Sequence, residues 1–284
     1  MPRIEYSLLT TQLAKWSRCL TAIAMALAFV SAGCEAKQPA DSTPKATERS
    51  VVRVAAASDL KFALGDVIAA FKKDAPTIHI EPTFGASGVL FEQLTNHAPF
   101  DVFLSADITY PRKLIEQQLA VADTEFLYAY GELVLWTSKF SGIDVEKLGI
   151  QAVTDPKVRK IAIANPKTAP YGRAAEAALK SLGVYDTIQD RLVEGGNIAE
   201  TAQYVESGVA DVGLIALSLA VAPAMRDKGV FWIVPADAFP RLEQGGVILS
   251  DAKDSAAAEK FRAFLISPAG RQILTNFGFN LPGA

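Results

Sequence analysis

Short apolar runs alternate with segments of helical periodicity along residues 51–284, and this alternation constrains the fold more than any other feature. Residues 51–56 are typical of a buried strand, and Leu60, Leu64 and Val67 after them share one helix face. The same succession of strand and helix continues to the end of the chain. It predicts an α/β protein with a mainly parallel sheet.

The predicted elements follow from these patterns. Strands are predicted at 51–56, 78–84, 102–105, 127–138, 161–164, 212–217, 230–235 and 246–250. Helices are predicted at 60–73, 89–96, 111–119, 173–182, 186–193, 198–207, 252–266 and 268–276. Pro82 places the second strand near a sheet edge, because proline cannot donate a ladder hydrogen bond. Gly183 and Gly208 are expected to end the helices before them.

The order of these elements predicts two lobes, which fits a chain of 284 residues. Lobe one would contain residues 51–130 and 243–284, and lobe two residues 131–242. The long run at 127–138 would cross from lobe one to lobe two, and 244–250 would cross back. Two crossing segments form a hinge, with an expected ligand site in the cleft between the lobes.

Residues 1–34 form a separate segment. Arg3, Lys15 and Arg18 precede an apolar run at 19–33. That run has the length of the apolar region of a signal peptide and is short for a membrane span. We therefore expect residues 1–34 to direct export.

Small residues immediately before Cys34 resemble a bacterial lipobox, which would make Cys34 a lipidated N-terminus. Ser31 stands where a lipobox usually has leucine, so plain cleavage nearby and an uncleaved anchor remain alternatives. Residues 35–50 are polar and contain Pro, Ser and Thr, which predicts a flexible tether. The only other cysteine, Cys19, lies in the signal, so a cysteine-based metal or redox site is excluded in the mature domain.

The net charge of −3 gives no basic surface for nucleic acid. It also means that bulk attraction cannot recruit an anion, so any anion site must work through local geometry.

Four predicted helix starts consist of small or polar residues. They are Ala57-Ser58-Asp59, Gly85-Ala86-Ser87-Gly88, Ala169-Pro170-Tyr171-Gly172 and Gly195-Gly196-Asn197-Ile198. A helix N-terminus exposes unpaired N–H groups and a partial positive charge, which suit an anion. Four of them converging would form a cage of neutral donors.

Individual residues at these starts have competing roles. Ser58 is interpreted as a hydroxyl donor, whereas Asp59 fits a helix cap. Ser87 could donate its O–H and N–H to one oxygen, or it could belong to an ordinary turn. Asn197 fits the cap of a capping box, which leaves the N–H of Ile198 for an anion.

Six segments together resemble the periplasmic molybdate-binding proteins of ABC importers, in order and spacing, across residues 51–284. They are VAAASDL at 54–60, FGASGVL at 84–90, DVFLSAD at 101–107, NPKTAPYG at 165–172, NIAETAQYV at 197–205 and DVGLIALS at 211–218. The resemblance implies the two-lobe fold of type II periplasmic-binding proteins.

The resemblance also implies the ligand residues. They are Ser58, Ser87, Tyr171 and Ile198, with Asp59, Gly172 and Asn197 as possible additions. Some family members donate a tyrosine hydroxyl from a position where this chain has Ala216. We therefore expect the backbone of Tyr171, with or without its hydroxyl, to contribute. An Asp59 side chain pointing into the cleft would repel a dianion.

The function implied is binding of molybdate or tungstate in the periplasm or cell envelope. The protein would be a monomer without a cofactor or catalytic activity, would deliver its ligand to an ABC importer permease and would be held at the membrane by Cys34.

Three alternatives remain open. The first is a binding protein of the same fold for sulfate or phosphate. The second is an envelope enzyme, although His79 and His97 fit no recognisable catalytic arrangement. The third is the sensing domain of a regulator, against which the export signal argues.

Overall fold

The computed structural model describes residues 50–283, which form ten strands and ten α-helices. The strands are β1 (Ser50–Ala57), β2 (Ile78–Gly85), β3 (Val102–Ser105), β4 (Phe126–Gly131), β5 (Leu133–Ser138), β6 (Ile161–Ala164), β7 (Leu192–Gly195), β8 (Val212–Ala216), β9 (Gly229–Ile233) and β10 (Leu242–Ile248). The helices are α1 (Ala63–Asp74), α2 (Ser87–Thr95), α3 (Thr109–Glu116), α4 (Val145–Leu148), α5 (Pro170–Ser181), α6 (Tyr185–Ile188), α7 (Ile198–Glu206), α8 (Leu217–Ala220), α9 (Ser255–Leu265) and α10 (Pro268–Asn276). Short 3-10 helices cover Ser58–Leu60, Ala122–Thr124, Gly149–Thr154 and Gln189–Arg191.

The strands form two five-stranded sheets, one in each lobe. The sheet of lobe one has the order β2-β1-β3-β10-β4, and that of lobe two has the order β7-β6-β8-β5-β9. This arrangement confirms the predicted two-lobe α/β class. Strand β2, which contains Pro82, lies at the edge of its sheet as predicted.

The prediction of mainly parallel sheets is wrong, because four of the eight strand pairings are antiparallel. Strands β1, β2 and β3 are parallel to one another, as are β6, β7 and β8. The antiparallel pairings all involve β5 and β10, each of which enters its sheet from the other lobe.

The chain passes between the two sheets at two places. Glu132 alone separates β4 from β5, so the predicted run at 127–138 is two strands in different sheets. Residues 234–241 lead from β9 back to β10. Strands β4 and β10 pair with each other in lobe one, so the two crossing segments lie side by side.

Local signals set the ends of several helices. Gly183 and Gly208 follow α5 and α7 with φ angles of +72° and +77°, which favour glycine. Asp254 caps α9 by accepting a hydrogen bond from the Ala257 N–H at 2.9 Å.

The helix predicted at 186–193 is only partly correct. Helix α6 ends at Ile188, a 3-10 turn follows, and residues from Leu192 onward form edge strand β7. The segment LVEG is too short for its own pattern to specify a strand. It forms a strand because it pairs in parallel with β6.

Each lobe has its own apolar core. In lobe one Phe71 of α1 packs edge-on against Phe261 of α9, with ring centroids 5.4 Å apart. In lobe two Trp136 of β5 is fully buried. The described helices include none that is long and apolar enough to cross a membrane. The predicted lipidation site, Cys34, lies outside the described residues.

Candidate functional site

Four helix starts, two from each lobe, meet at one cavity in the cleft. In lobe one Ser58 begins the 3-10 helix after β1, and Ser87 begins α2 after β2. In lobe two Tyr171 is the second residue of α5, and Ile198 is the first residue of α7. All four residues line the cavity, and none is more than 3 % exposed. The structure therefore brings the four predicted principal ligand residues together.

The lobes are close together around this cavity. Its volume is about 10 Å³, roughly what one water molecule requires. Entry of a tetrahedral oxyanion into this enclosed site requires the lobes to separate. The two crossing segments provide the hinge for such a movement.

The cavity has no cationic lining among residues 50–283, and Asp59 is its only charged residue. Helices α2, α5 and α7 all begin at its wall, so their partial positive charges point toward it. The N–H groups of a first helical turn have no acceptor within their own helix. These groups can bind an anion without a countercharge.

The Ser87 side chain is held in place by the neighbouring loop. Its Oγ accepts a hydrogen bond from the Ala106 N–H at 3.0 Å. This bond uses a lone pair of the oxygen and leaves the hydroxyl proton available to a ligand. Ser87 is therefore oriented as a donor before any ligand arrives.

Asn197 caps the start of α7 as predicted, but the capping box is not closed, because Glu200 bonds to the N–H of Gly196 and not to that of Asn197. The Asn197 Oδ1 accepts hydrogen bonds from the N–H groups of Ala199 and Glu200, at 3.0 and 3.1 Å. The Glu200 side chain in turn accepts from the Gly196 N–H at 2.8 Å. Asn197 thus serves as the helix cap, and the group that α7 presents to the cavity belongs to Ile198.

The start of α5 presents Tyr171 and not Gly172. The Gly172 N–H already donates to the Ala169 carbonyl at 3.0 Å. A Cβ at Gly172 would lie 2.2 Å from the Ala164 carbonyl oxygen, so only glycine lets α5 begin this close to β6. The Tyr171 hydroxyl lies 3.1 Å from the Gln244 side-chain nitrogen, which donates to it.

Asp59 differs from its predicted role as a helix cap. It lies inside the 3-10 helix, Ala57 is the N-cap, and no side-chain cap bond forms. The Asp59 Oδ2 instead accepts a hydrogen bond from the Gln244 Nε2 at 2.5 Å, and the residue is 1 % exposed. Burial raises the pKa of Asp59 to about 6, although the bond from Gln244 opposes that rise.

Sequence reasoning missed Gln244. It lies in β10 within the segment LEQGGVI and is fully buried. An uncharged polar residue before two glycines in an otherwise strand-like run was the only available signal.

Several contacts hold the lobes together near the cavity, among them a hydrogen bond that the Ser218 Oγ of lobe two donates to the Asp59 carbonyl at 2.8 Å. The Gly88 N–H of α2 donates to the Thr168 carbonyl of lobe two at 2.9 Å. The Arg173 guanidinium of α5 pairs with Asp107 of lobe one at 2.6 Å, and both side chains are partly exposed. The structure is therefore a closed form of the cleft.

The two histidines lie away from the cavity. The side chains of His79 and His97 are 62 % and 67 % exposed. Within residues 50–283 no cluster of three or more His, Cys, Asp or Glu residues could hold a metal ion.

Comparison with known proteins identifies the family. The bacterial extracellular solute-binding protein family matches residues 52–280. The molybdate-binding protein ModA of Azotobacter vinelandii is 36 % identical over 237 residues, which cover 83 % of this chain and 92 % of the relative.

Two solved structures have the same architecture. The periplasmic molybdate-binding protein of Azotobacter vinelandii matches with a TM-score of 0.76 and 32 % identity, covering 81 % of this chain and 99 % of that structure. The substrate-binding domain of a putative molybdenum ABC transporter from Clostridium difficile matches with a TM-score of 0.63 and 30 % identity, covering 82 % and 99 %. The chain belongs to the bacterial extracellular solute-binding proteins, in the family of the molybdate-binding protein ModA.

Proposed function

We propose that this protein binds molybdate or tungstate between its lobes and delivers the anion to the permease of an ABC importer. The observation that carries the proposal is the cavity where helix starts of both lobes meet without a lysine or arginine among the described lining residues. The family to which the chain belongs supports the choice of ligand.

The proposed ligand residues are Ser58, Ser87, Tyr171 and Ile198. The two serines would donate hydroxyl and backbone hydrogen bonds from lobe one, and the other two residues would donate backbone N–H groups from lobe two. A hydrogen bond to a charged group contributes about 1.5–3 kcal/mol. Several such bonds exceed the cost of desolvation and closure, so strong binding is expected.

A site made only of donors selects anions by their protonation. Molybdate and tungstate are fully ionised near neutral pH and need only donors. Hydrogen phosphate carries a proton and needs an acceptor, and the only carboxylate on the described cavity wall is that of Asp59. Sulfate is smaller, and a cage fixed by helix starts would not contract around it. Molybdate and tungstate are nearly equal in size, so little discrimination between them is expected.

A second candidate ligand is phosphate. The observation that favours it is the Asp59 Oδ1, a buried acceptor with no hydrogen-bond partner among residues 50–283. A carboxylate in the cage could accept the proton of hydrogen phosphate. Against this, the Asp59 Oδ2 is directed toward Gln244, so at least part of the carboxylate is turned away from an anion.

Calorimetric titration of the purified protein with molybdate, tungstate, sulfate and phosphate at pH 7 tests the proposal. One-to-one binding of molybdate and tungstate, with no heat from sulfate or phosphate, is the expected result. Phosphate or sulfate binding without molybdate binding would contradict it.

The proposed organisation places residues 51–130 and 243–284 in lobe one and residues 131–242 in lobe two. The membership of the two sheets supports this division.

Residues 1–34 would direct export, and a lipid on Cys34 would hold the monomer at the membrane, with 35–50 as a tether. Mass spectrometry of the mature N-terminus tests the lipid: an unmodified N-terminus at another position would contradict it. Closure of the lobes would present the surface that the permease recognises.

A further inference from the structure

The Tyr171 side chain connects the cavity to the hinge. The residue lines the cavity from lobe two, and its hydroxyl reaches Gln244 of β10 in lobe one. Tyr171 is 1 % exposed and Gln244 is fully buried. One residue therefore touches both the proposed ligand site and a strand at the hinge.

The other crossing segment makes room for the same hydroxyl. Gly131 ends β4 immediately before the chain enters lobe two. A Cβ at Gly131 would lie 2.3 Å from the Tyr171 hydroxyl oxygen and 2.7 Å from the Gln244 Nε2. Only glycine at this position allows the hydroxyl to settle between the two crossing strands.

Gln244 lies at an irregular point of its own strand. The register between β10 and β4 shifts between Gln244 and Gly245. Such a bulge redirects a side chain and commonly lies next to a functional site. From this position the Gln244 amide donates to Asp59 at 2.5 Å and to Tyr171 at 3.1 Å, so one amide joins the two lobes.

The polar cluster is incompletely paired. The Asp59 Oδ1 and the Gln244 Oε1 are buried and have no hydrogen-bond partner among residues 50–283. Buried unpaired oxygens carry a free-energy cost and call for an explanation in a native structure. Apolar side chains at this contact would avoid that cost, but they would hold the lobes together without the directional requirement that hydrogen bonds impose.

We propose that Tyr171, Gln244 and Asp59 form an interlobe latch that retains the bound anion, with Gln244 as its positioning residue. This inference rests on the proposed function. The latch forms only when α5 docks against the hinge, so it stabilises the closed state and fixes the Tyr171 N–H beside the ligand.

Stopped-flow kinetics of molybdate binding test the latch. Tyr171→Phe removes the hydroxyl and keeps the N–H, and Gln244→Met replaces the amide with an apolar chain of similar length. Each variant should raise the dissociation rate about tenfold, as expected for a lost hydrogen bond. The association rate should stay within about twofold of the original, because association precedes latching. The dissociation rate of the double variant should be no higher than that of the faster single variant, because both substitutions remove the contact between Tyr171 and Gln244.

Tyr130→Phe is the matched control, since Tyr130 lies next to Gly131 and its hydroxyl makes no hydrogen bond within the described part of the chain. Its association and dissociation rates should equal those of the original protein.

Gly131→Ala provides a second test and should also raise the dissociation rate. Adding Tyr171→Phe to it should raise that rate by a smaller factor than Tyr171→Phe does alone, because the added methyl no longer meets a hydroxyl.

The latch would be overturned if the dissociation rates were unchanged, or if the increases in dissociation rate multiplied in full in both double variants. Either result would leave the proposed function intact. Failure of the original protein to bind molybdate would instead contradict the proposed function and this inference together.

Discussion

The two lobes contribute to the cavity by different chemistry. Lobe one presents the hydroxyls of Ser58 and Ser87. On lobe two Ile198 has no hydroxyl, and the Tyr171 hydroxyl is already bonded to Gln244, so its helix starts present backbone N–H groups. On lobe one the identity of the side chain therefore matters for binding. On lobe two the position of the backbone matters, and the side chain serves to hold the helix start in place.

Ser87→Ala should have the largest effect on binding and tests the lobe-one half of this comparison. The variant loses a hydroxyl donor and leaves the buried Ala106 N–H without its acceptor. Molybdate affinity should fall about 100-fold, from a charged hydrogen bond of about 2–3 kcal/mol. Calorimetry measures the affinity, and denaturant unfolding should show a loss of only about 1 kcal/mol. Unchanged affinity would contradict a role for this hydroxyl.

Asp59→Asn should increase stability in a way that depends on pH. Well below pH 3.8 Asp59 is neutral in the folded and unfolded states, so its burial has no ionisation cost. Between pH 3.8 and about 6 the folded protein retains a proton that the unfolded chain has released. The free energy of unfolding therefore falls as pH rises through this window, by about 3 kcal/mol in total.

Asparagine has no such titration, so the variant should be more stable than the original by about 3 kcal/mol at pH 8. Near pH 3.5 the two proteins should have nearly equal free energies of unfolding in urea. A difference that is the same at both pH values would contradict the burial of an ionised Asp59.

Ile198→Val tests the lobe-two half of the comparison. It removes one methyl group from a residue that is 3 % exposed and keeps the N–H. The free energy of unfolding should fall by about 1 kcal/mol. Molybdate affinity should change less than about threefold, because the backbone donor remains. A loss of affinity as large as that of Ser87→Ala would show that the side chain itself contacts the ligand.

Arg173→Gln should have the smallest effect. The Arg173–Asp107 pair crosses the cleft, but the two side chains are 40 % and 23 % exposed. Exposed ion pairs contribute about 0.2–1 kcal/mol, so affinity should fall about two- to threefold at low salt. The difference should shrink in high salt, which screens the pair. Asp107→Asn is the matched control and should give the same change; a difference that persists in high salt would contradict this role.

The sequence was sufficient for the local parts of the structure. Apolar runs of four or more residues gave most strands, and the glycines after α5 and α7 marked the helix ends. The four helix starts were predictable because each is marked by small or polar residues within a stretch of three or four, although only Asn197 forms a side-chain cap.

The remaining features depend on long-range contacts. The antiparallel pairing of β5 and β10 follows from where the chain changes lobe, which local patterns do not specify. Asp59 was assigned to a cap because its partner, Gln244, is 185 residues away in sequence. No local pattern links two such positions.

A crystal structure with tungstate would locate the ligand, since anomalous scattering identifies the tungsten atom without assumptions about the protein. We expect one tungsten atom between the lobes, with its oxygens within hydrogen-bond distance of Ser58, Ser87, Tyr171 and Ile198. A neighbouring cavity of about 330 Å³ shares Ala106 and Pro170 with this site and is lined by Arg112, Arg173 and Arg241. A tungsten atom there, with the helix starts unoccupied, would contradict the proposed site.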